Sequence, residues 1–244
     1  DTFVVAPYQR TLLDEHLARQ CGNIRTVGPK GFLYRGDIRA GEDRASEFQF
    51  TTEVEVAEDS HESRKNELVC AAVLGQIVRL HAPSIKAKPA QLKLARARLE
   101  NLGLTASKYW VACVGDSQWT AVRNWTASNW AALLAQMVSR HDVRLLFVGT
   151  RAERETTQAV SVLLGNLEAR TMSTCGKPDG LETLVGLISL SAGYVGKDTG
   201  PMHLAAALGK PVVAVFGGGT WPRFTPLAKS GAVITVQVPC AGCG

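Results

Sequence analysis

From Tyr109 onward the sequence alternates short β-rich runs with amphipathic helical stretches, and that alternation restricts the fold more than any other feature. Residues 109–114 read as a buried strand, 128–140 as a helix, 143–148 as a strand closed by Gly149, and 153–164 as a helix. A helix over 181–190, a strand over 193–196, a helix over 201–208 and a strand over 212–216 complete the series. Apolar strands separated by helices predict an α/β fold whose parallel sheet is covered on both faces. Ligands bind such sheets beyond the carboxyl ends of the strands. Loops 115–125, 149–153, 197–201 and 217–222 are therefore expected to converge on one site.

The first part of the chain is less regular. It opens with an apolar strand (Thr2-Phe3-Val4-Val5-Ala6), continues with a helical stretch over 11–21, and turns at Gly28-Pro29-Lys30-Gly31. Eight acidic residues crowd positions 41–62, which predicts a solvated connection. A helix over 63–74 follows, with Leu68, Ala71, Ala72 and Leu74 on one face and Gly75 at its end. Residues 81–89 contain two prolines and two lysines and read as a linker, after which 90–102 spaces Leu92, Ala95, Leu99 and Leu102 at helical intervals up to Gly103. Three segments are expected: a partial amino-terminal unit over 1–88, a linker helix over 89–108, and a ligand-binding unit over 109–244.

Composition narrows the function classes. With 45% hydrophobic and 20% charged residues in 244, the chain can bury a large core and does not read as disordered. The net charge is +5, and the excess falls in 108–244, which carry twelve basic against eight acidic side chains. Such a surplus suits phosphate-bearing ligands, but no dense Lys/Arg run with interleaved aromatics accompanies it, so nucleic acid is not an expected partner. No apolar stretch nears the roughly 18 residues needed to cross a bilayer, and the first residues lack a secretory leader's pattern. The chain also starts without methionine and stops one residue after Cys243, and it reads as a piece of a longer protein. Its six cysteines are scattered, which argues against a secreted disulfide framework.

The densest chemical information lies in Tyr194-Val195-Gly196-Lys197-Asp198-Thr199-Gly200-Pro201-Met202-His203-Leu204-Ala205-Ala206-Ala207-Leu208-Gly209-Lys210-Pro211. A strand runs into Asp-Thr-Gly, Pro201 supplies a φ suited to the first helical turn, and Ala205–Ala207 let the helix lie close on the sheet. Free amides at Thr199, Gly200 and the first turn, backed by the helix dipole, would bind a diphosphate. The alternative is that Asp198 and Thr199 simply cap the helix. Lys197 would either reach a phosphate or stand exposed beside the strand end.

This run, with Pro211 and Phe216-Gly217 behind it, resembles the hallmark of glycosyltransferase family 9, the bacterial heptosyltransferases of lipopolysaccharide assembly. Asn124-Trp125 before the helix containing Trp130, the Val148-Gly149 strand end with Glu153 behind it, and Thr220-Trp221-Pro222 support the resemblance over 109–244; His61-Glu62 and Leu74-Gly75 extend it weakly upstream. The resemblance implies a GT-B fold of two Rossmann-like domains, the amino-terminal one incomplete here, and an inverting enzyme that takes a heptose or similar sugar from a nucleotide diphosphate, commonly ADP-heptose. No metal is expected for transfer, and the implied acceptor is a bacterial surface glycan or protein. By position, Asp198, Thr199 and Gly200 would meet the diphosphate and sugar, Arg123 would neutralise phosphate, Glu153 would hold the adenosine ribose, and His203 would face the donor. A guanidinium balances charge growing on a leaving diphosphate and a carboxylate accepts from paired ribose hydroxyls, which gives Arg123 and Glu153 a physical reason of their own.

The pattern departs from the family in two places. The family's general base lies in an amino-terminal loop absent here, so no catalytic base is assigned; and the loops Gly115-Asp116-Ser117-Gln118 and Phe216-Gly217-Gly218-Gly219-Thr220 are unusual. Cys240 and Cys243 form half of a tetrahedral metal site and resemble the cysteine-rich, iron-holding tail of the branch that glycosylates autotransporters, so a structural zinc or iron in the intact protein is an expectation. The same fold serves nucleotide-sugar epimerases, and a non-catalytic nucleotide-sugar-binding module is the reading from another class. The expected location is the bacterial cytoplasm, at the inner-membrane surface.

Overall fold

Two parallel sheets organise the chain. The computed structural model describes residues 1–6, 12–30, 48–57, 60–115, 124–177, 179–217 and 221–235. They belong to two compact units, residues 1–81 and 82–244.

In the first unit, β1 (Thr2–Val4), β2 (Arg25–Pro29) and β3 (Thr52–Val54) pair in parallel in that order, with α1 (Leu12–Gln20) and α2 (Glu62–Leu74) alongside. Two expectations fail here. Gly28 and Pro29 belong to the central strand rather than to a turn, and a Cβ at Gly28 would come within 2.5 Å of the Phe50 ring, so that ring can cross β2 only above a glycine. The acidic stretch contains β3: Thr52-Glu53-Val54-Glu55 alternates with a period of two, so Val54 is buried while Glu55 is exposed. Helix α2 begins at Glu62, capped by His61, and ends on Gly75 at φ 67. Its buried side chains are Val69 and Lys65, the latter paired with Glu62, whereas Leu74 is exposed; the apolar face lies to one side of the expected stripe.

The second unit carries α3 (Pro89–Asn101), β4 (Tyr109–Cys113), α4 (Ala127–His141), β5 (Arg144–Phe147), α5 (Arg154–Leu163), β6 (Thr171–Ser173), α6 (Leu181–Leu190), β7 (Gly193–Lys197), α7 (Gly200–Ala207), β8 (Val212–Phe216) and β9 (Gly231–Thr235). The sheet order is β6-β5-β4-β7-β8-β9, all parallel. The chain builds outward from β4 to one side, then returns to β4's other edge, so the order reverses between β4 and β7. That reversal is the feature that opens a crevice in doubly wound sheets. Two strands fall outside the expected series: β6 is only three residues long, and the outer β9 carries an apolar Ala-Val-Ile run but leaves Val233 and Ile234 exposed.

Each face of this sheet has its own core. Leu99, Leu187, Ile188, Tyr194 and Met202 pack on the face carrying α3, α6 and α7, and Trp130, Leu134, Leu145, Phe147 and Val160 on the face carrying α4 and α5. Helix α3 lies against α6. Gln91 donates to Glu182 over 2.6 Å, Arg98 pairs with Asp179, and the helices meet at Gly186, where an added Cβ would sit 2.3 Å from the Gln91 carbonyl oxygen. Gly186→Ala should destabilise the protein by about 1–3 kcal/mol in thermal or urea melts, because the overpacking outweighs the roughly 1 kcal/mol of helix propensity gained. Unchanged or raised stability would show that the helices separate freely.

Candidate functional site

Strands β4 and β7 end side by side, since Cys113 pairs with Gly196. After Lys197, the last residue of β7, Asp198 and Thr199 therefore leave the sheet beside the end of β4, and α7 starts at once with Pro201 in its first turn. Thr199 is the N-cap residue, at φ −152 and ψ 168, yet its hydroxyl makes no cap hydrogen bond. Its Oγ1 lies 3.3 Å from the Tyr194 hydroxyl and 3.8 Å from Cys113 Sγ. The amino end of α7 thus keeps its donors for something other than its own N-cap side chain. A Cβ at Gly200 would meet nothing within 4 Å, so the approach to these amides is open. Across the first turn, His203 Nε2 stands 3.8 Å from Asp198 Oδ1, with the histidine half exposed and the aspartate largely buried.

A cavity of about 490 Å³ opens at the same end of the sheet, lined among others by Cys113, Gly149, Glu153, Asp179, Thr199 and Pro201. Glu153 reaches it from the 3-10 turn Arg151–Glu153 that leads into α5. Its Oε2 accepts from the Thr150 amide at 2.7 Å and the Thr150 hydroxyl at 2.8 Å, which fixes the carboxylate on the wall. Gly115 makes this placement possible, since a Cβ there would lie 2.2 Å from Glu153 Cβ. On the far wall Asp179 gives one oxygen to Arg98, while its Oδ2 is buried without a hydrogen-bond partner. Lys197, 6% exposed, also buries an unpartnered Nζ.

The thiols here are inert at neutral pH. Burial pushes Cys113 up to about 11, with the Glu153 carboxylate adding to the rise and the Thr199 hydroxyl and Lys197 ammonium opposing it. Burial likewise raises Cys175 and Tyr194. Thiolate nucleophilic chemistry is therefore not what this end of the sheet does.

Of the residues singled out by sequence, Glu153 and Thr199 line one cavity and Gly200 heads the helix beside them, with Asp198, just before the cap, facing His203 of the helix's first turn. Arg123, Cys240 and Cys243 lie outside the described residues. The capping alternative does not hold for Thr199, whose hydroxyl points elsewhere, and Lys197 is buried rather than exposed. Sequence reasoning missed Thr150 and Asp179. Asp179 sits in a Lys-Pro-Asp-Gly stretch that reads as an ordinary turn, and its partner Arg98 is 81 residues away. No group of three or more potential metal-ligating side chains occurs among the described residues, and none of their helices is long and apolar enough to cross a membrane.

The pattern of glycosyltransferase family 9 (heptosyltransferase) matches residues 39–244. The chain belongs to this family. Among relatives, a lipooligosaccharide heptosyltransferase 2 of Campylobacter jejuni is 26% identical over 163 residues, which make up 66% of this chain and 50% of that protein. The lipopolysaccharide heptosyltransferase 2 of Salmonella typhimurium is 29% identical over 114 residues, 47% of this chain and 32% of that one. The chain thus spans about half the length, or less, of the relatives it matches. Among solved structures, E. coli ADP-heptose lps heptosyltransferase II superposes with a TM-score of 0.62 at 17% identity, covering 98% of this chain and 69% of that one. E. coli heptosyltransferase WaaC with ADP gives 0.61 at 19%, covering 97% and 67%. At such identities the likeness concerns the fold, which is the α/β fold of GT-B family 9 proteins.

The raised Cys113 predicts an alkaline weakness. The folded state keeps this proton while the unfolded thiol releases its own from about pH 9, so the stabilising contribution is complete below pH 9 and is lost as pH climbs through 11. A shift from 9.0 to about 11 corresponds to about 2–3 kcal/mol. Urea melts at pH 8 and pH 10.5 should show a smaller alkaline loss in Cys113→Ala than in the unmutated protein. An equal loss would mean that water reaches the thiol.

Proposed function

We propose that this chain supplies the donor-binding part of an inverting glycosyltransferase that moves a heptose or similar sugar from a nucleotide diphosphate, ADP-heptose, to a bacterial surface glycan or protein. The observation that carries this reading is the α7 amino end without a side-chain cap from Thr199, opening where the strand order reverses and beside a cavity of nucleotide size. In sugar transfer from a nucleotide diphosphate, the bond between the anomeric carbon and the phosphate oxygen breaks, and negative charge grows on the departing diphosphate. Donors already aimed at that charge need no rearrangement as it develops. The amides of Thr199 and Gly200 and the α7 dipole provide such donors, and Arg123 adds a guanidinium to the same anion.

Glu153 is suited to the ribose, because Thr150 holds one carboxylate oxygen and so orients the group along the wall. Asp198, whose Oδ1 stands 3.8 Å from His203 Nε2, would accept from sugar hydroxyls as the donor lies against the helix. Family membership and the heptosyltransferase names of the relatives support the sugar, the ADP named with the E. coli WaaC structure supports the base, and a lipopolysaccharide or protein acceptor would place the reaction at the cytoplasmic surface of the inner membrane.

Calorimetry with ADP tests the donor assignment. Arg123→Ala should weaken ADP binding by about 1–3 kcal/mol, the range for lost charge-assisted hydrogen bonds, whereas Asp198→Ala should weaken ADP-heptose by a similar amount and leave ADP itself no weaker. Equal ADP affinity in Arg123→Ala would remove Arg123 from the site, and no ADP binding by the unmutated protein would sink the nucleotide reading.

We further propose that Cys240 and Cys243 contribute to a structural zinc or iron in the intact protein, on the support of their Cys-x-x-Cys spacing. Elemental analysis with thiol titration should find metal in the intact protein and none in its Cys240→Ser variant. A metal-free intact protein would leave the pair as packing.

A further inference from the structure

The described residues contain one lysine whose placement no structural need explains. Lysine side chains ordinarily carry the ammonium out to water on a flexible stem. Lys197 does not: the residue is 6% exposed and its Nζ is buried with no hydrogen-bond partner. Among the described residues no carboxylate pairs with it. An uncompensated buried ammonium is one of the least favourable arrangements a folded chain can hold, and a bound anion is one way to complete it.

The position shows where such an anion would lie. Lys197 is the last residue of β7 and pairs with Val215 of β8, so its side chain follows Val195 onto the face that carries α4. Strand β7 runs tight against β4 at this point, since a Cβ on Gly196 would be 2.5 Å from the Cys113 carbonyl oxygen. The ammonium is close enough for its charge to act on the Cys113 thiol, which lines the cavity and also feels Glu153. It therefore stands at the β4/β7 reversal, two residues before the amino end of α7.

We infer that Lys197 is a binding residue for the phosphate-bearing end of the nucleotide, closing on the anion from the strand end while the α7 amides meet it from the helix. This rests on the nucleotide-donor reading above and adds to it a cation within the hallmark run. A point charge suits this place: unlike a guanidinium it needs no planar partner and can follow the anion as charge shifts during departure. The unpaired state is then the empty-site state, and ligand binding removes the penalty.

This makes stability and affinity move in opposite directions on substitution. Lys197→Met keeps the stem's length and removes the charge. The variant should melt at least about 2 °C higher than the unmutated protein without ligand, since a gain of 1 kcal/mol shifts a chain of this size by roughly that much. By calorimetry it should bind ADP and inorganic pyrophosphate at least about 10-fold more weakly, the scale of a charge-assisted hydrogen bond, with adenosine unaffected.

Equal ADP and pyrophosphate affinities in the two proteins would overturn the assignment while leaving the donor reading intact. A lower melting temperature with ADP and adenosine weakened alike would also overturn it, because a structural lysine behaves that way. Lysine-dependent binding of pyrophosphate by a protein that ignores ADP and adenosine would uphold the anion site and sink the nucleotide reading instead.

Discussion

The pairing of β4 with β7 is the constraint on which the rest of the second unit depends. These strands are separated in sequence by two others, and their adjacency turns a simple winding sheet into one whose order reverses. It is achieved by removing side chains. A Cβ at Gly193 would meet the Trp110 ring at 2.7 Å, and one at Gly196 would meet the β4 backbone, so β7 presents two glycines where β4 and its indole come closest. Once Cys113 is opposite Gly196, the chain that follows β7 leaves the sheet at the crevice, and Lys197, Asp198, Thr199 and α7 are delivered there together.

Away from this end, the buried polar side-chain atoms of the described residues are satisfied. The Tyr109 hydroxyl donates to the Leu187 carbonyl, Ser191 bridges the end of α6 to β7, and Lys210 donates to Ser191's carbonyl. The buried polar side-chain atoms without partners among the described residues are Asp179 Oδ2 and Lys197 Nζ, and both lie at the carboxyl end of the sheet. Polar dissatisfaction is thus concentrated where a ligand would relieve it, and the apolar faces beneath, with Trp130, Tyr194 and Leu187 almost wholly buried, hold the strand ends against that local cost.

Sequence legibility followed the strength of local signals. The elements over 109–216 were readable because inner parallel strands are apolar on both faces and their helices carry a 3.6-residue stripe. The Asp-Thr-Gly-Pro start of α7 was readable because helix starts have local chemistry. Strand β3 was hidden because its short alternation, Thr52-Glu53-Val54-Glu55, is embedded in a stretch of eight acidic residues whose composition is that of a solvated connection. Strand β2 was hidden because Gly28 and Pro29 are turn formers by composition, and only the Phe50 ring, 22 positions away, explains the glycine. Strand β6 is too short to announce itself, whereas β9 carries a legible Ala-Val-Ile run that the strand-helix alternation passed over because no helix among the described residues intervenes between it and β8. At the site, the Arg98–Asp179 pair joins residues 81 positions apart, and the turn of the Thr199 hydroxyl toward Tyr194 and Cys113 and the burial of Lys197 are set by how β7 packs against β4, which no local pattern announces.

The contact between α3 and α6 also bears on how such a unit could be inherited or moved as a piece. A cut where the strand-helix texture begins, at Tyr109, would leave the Gly186 face of α6 bare and Asp179 without its arginine. A cut before Ala82 retains both, and also keeps the Ile85 amide on the carbonyl of Ala207 at the end of α7. The transplantable module is therefore longer than its sheet. Its leading 27 residues, from Ala82 to Lys108, act as a built-in clasp whose arginine holds an aspartate on the cavity wall, so recombination inside that stretch would change how that wall is held without touching any strand.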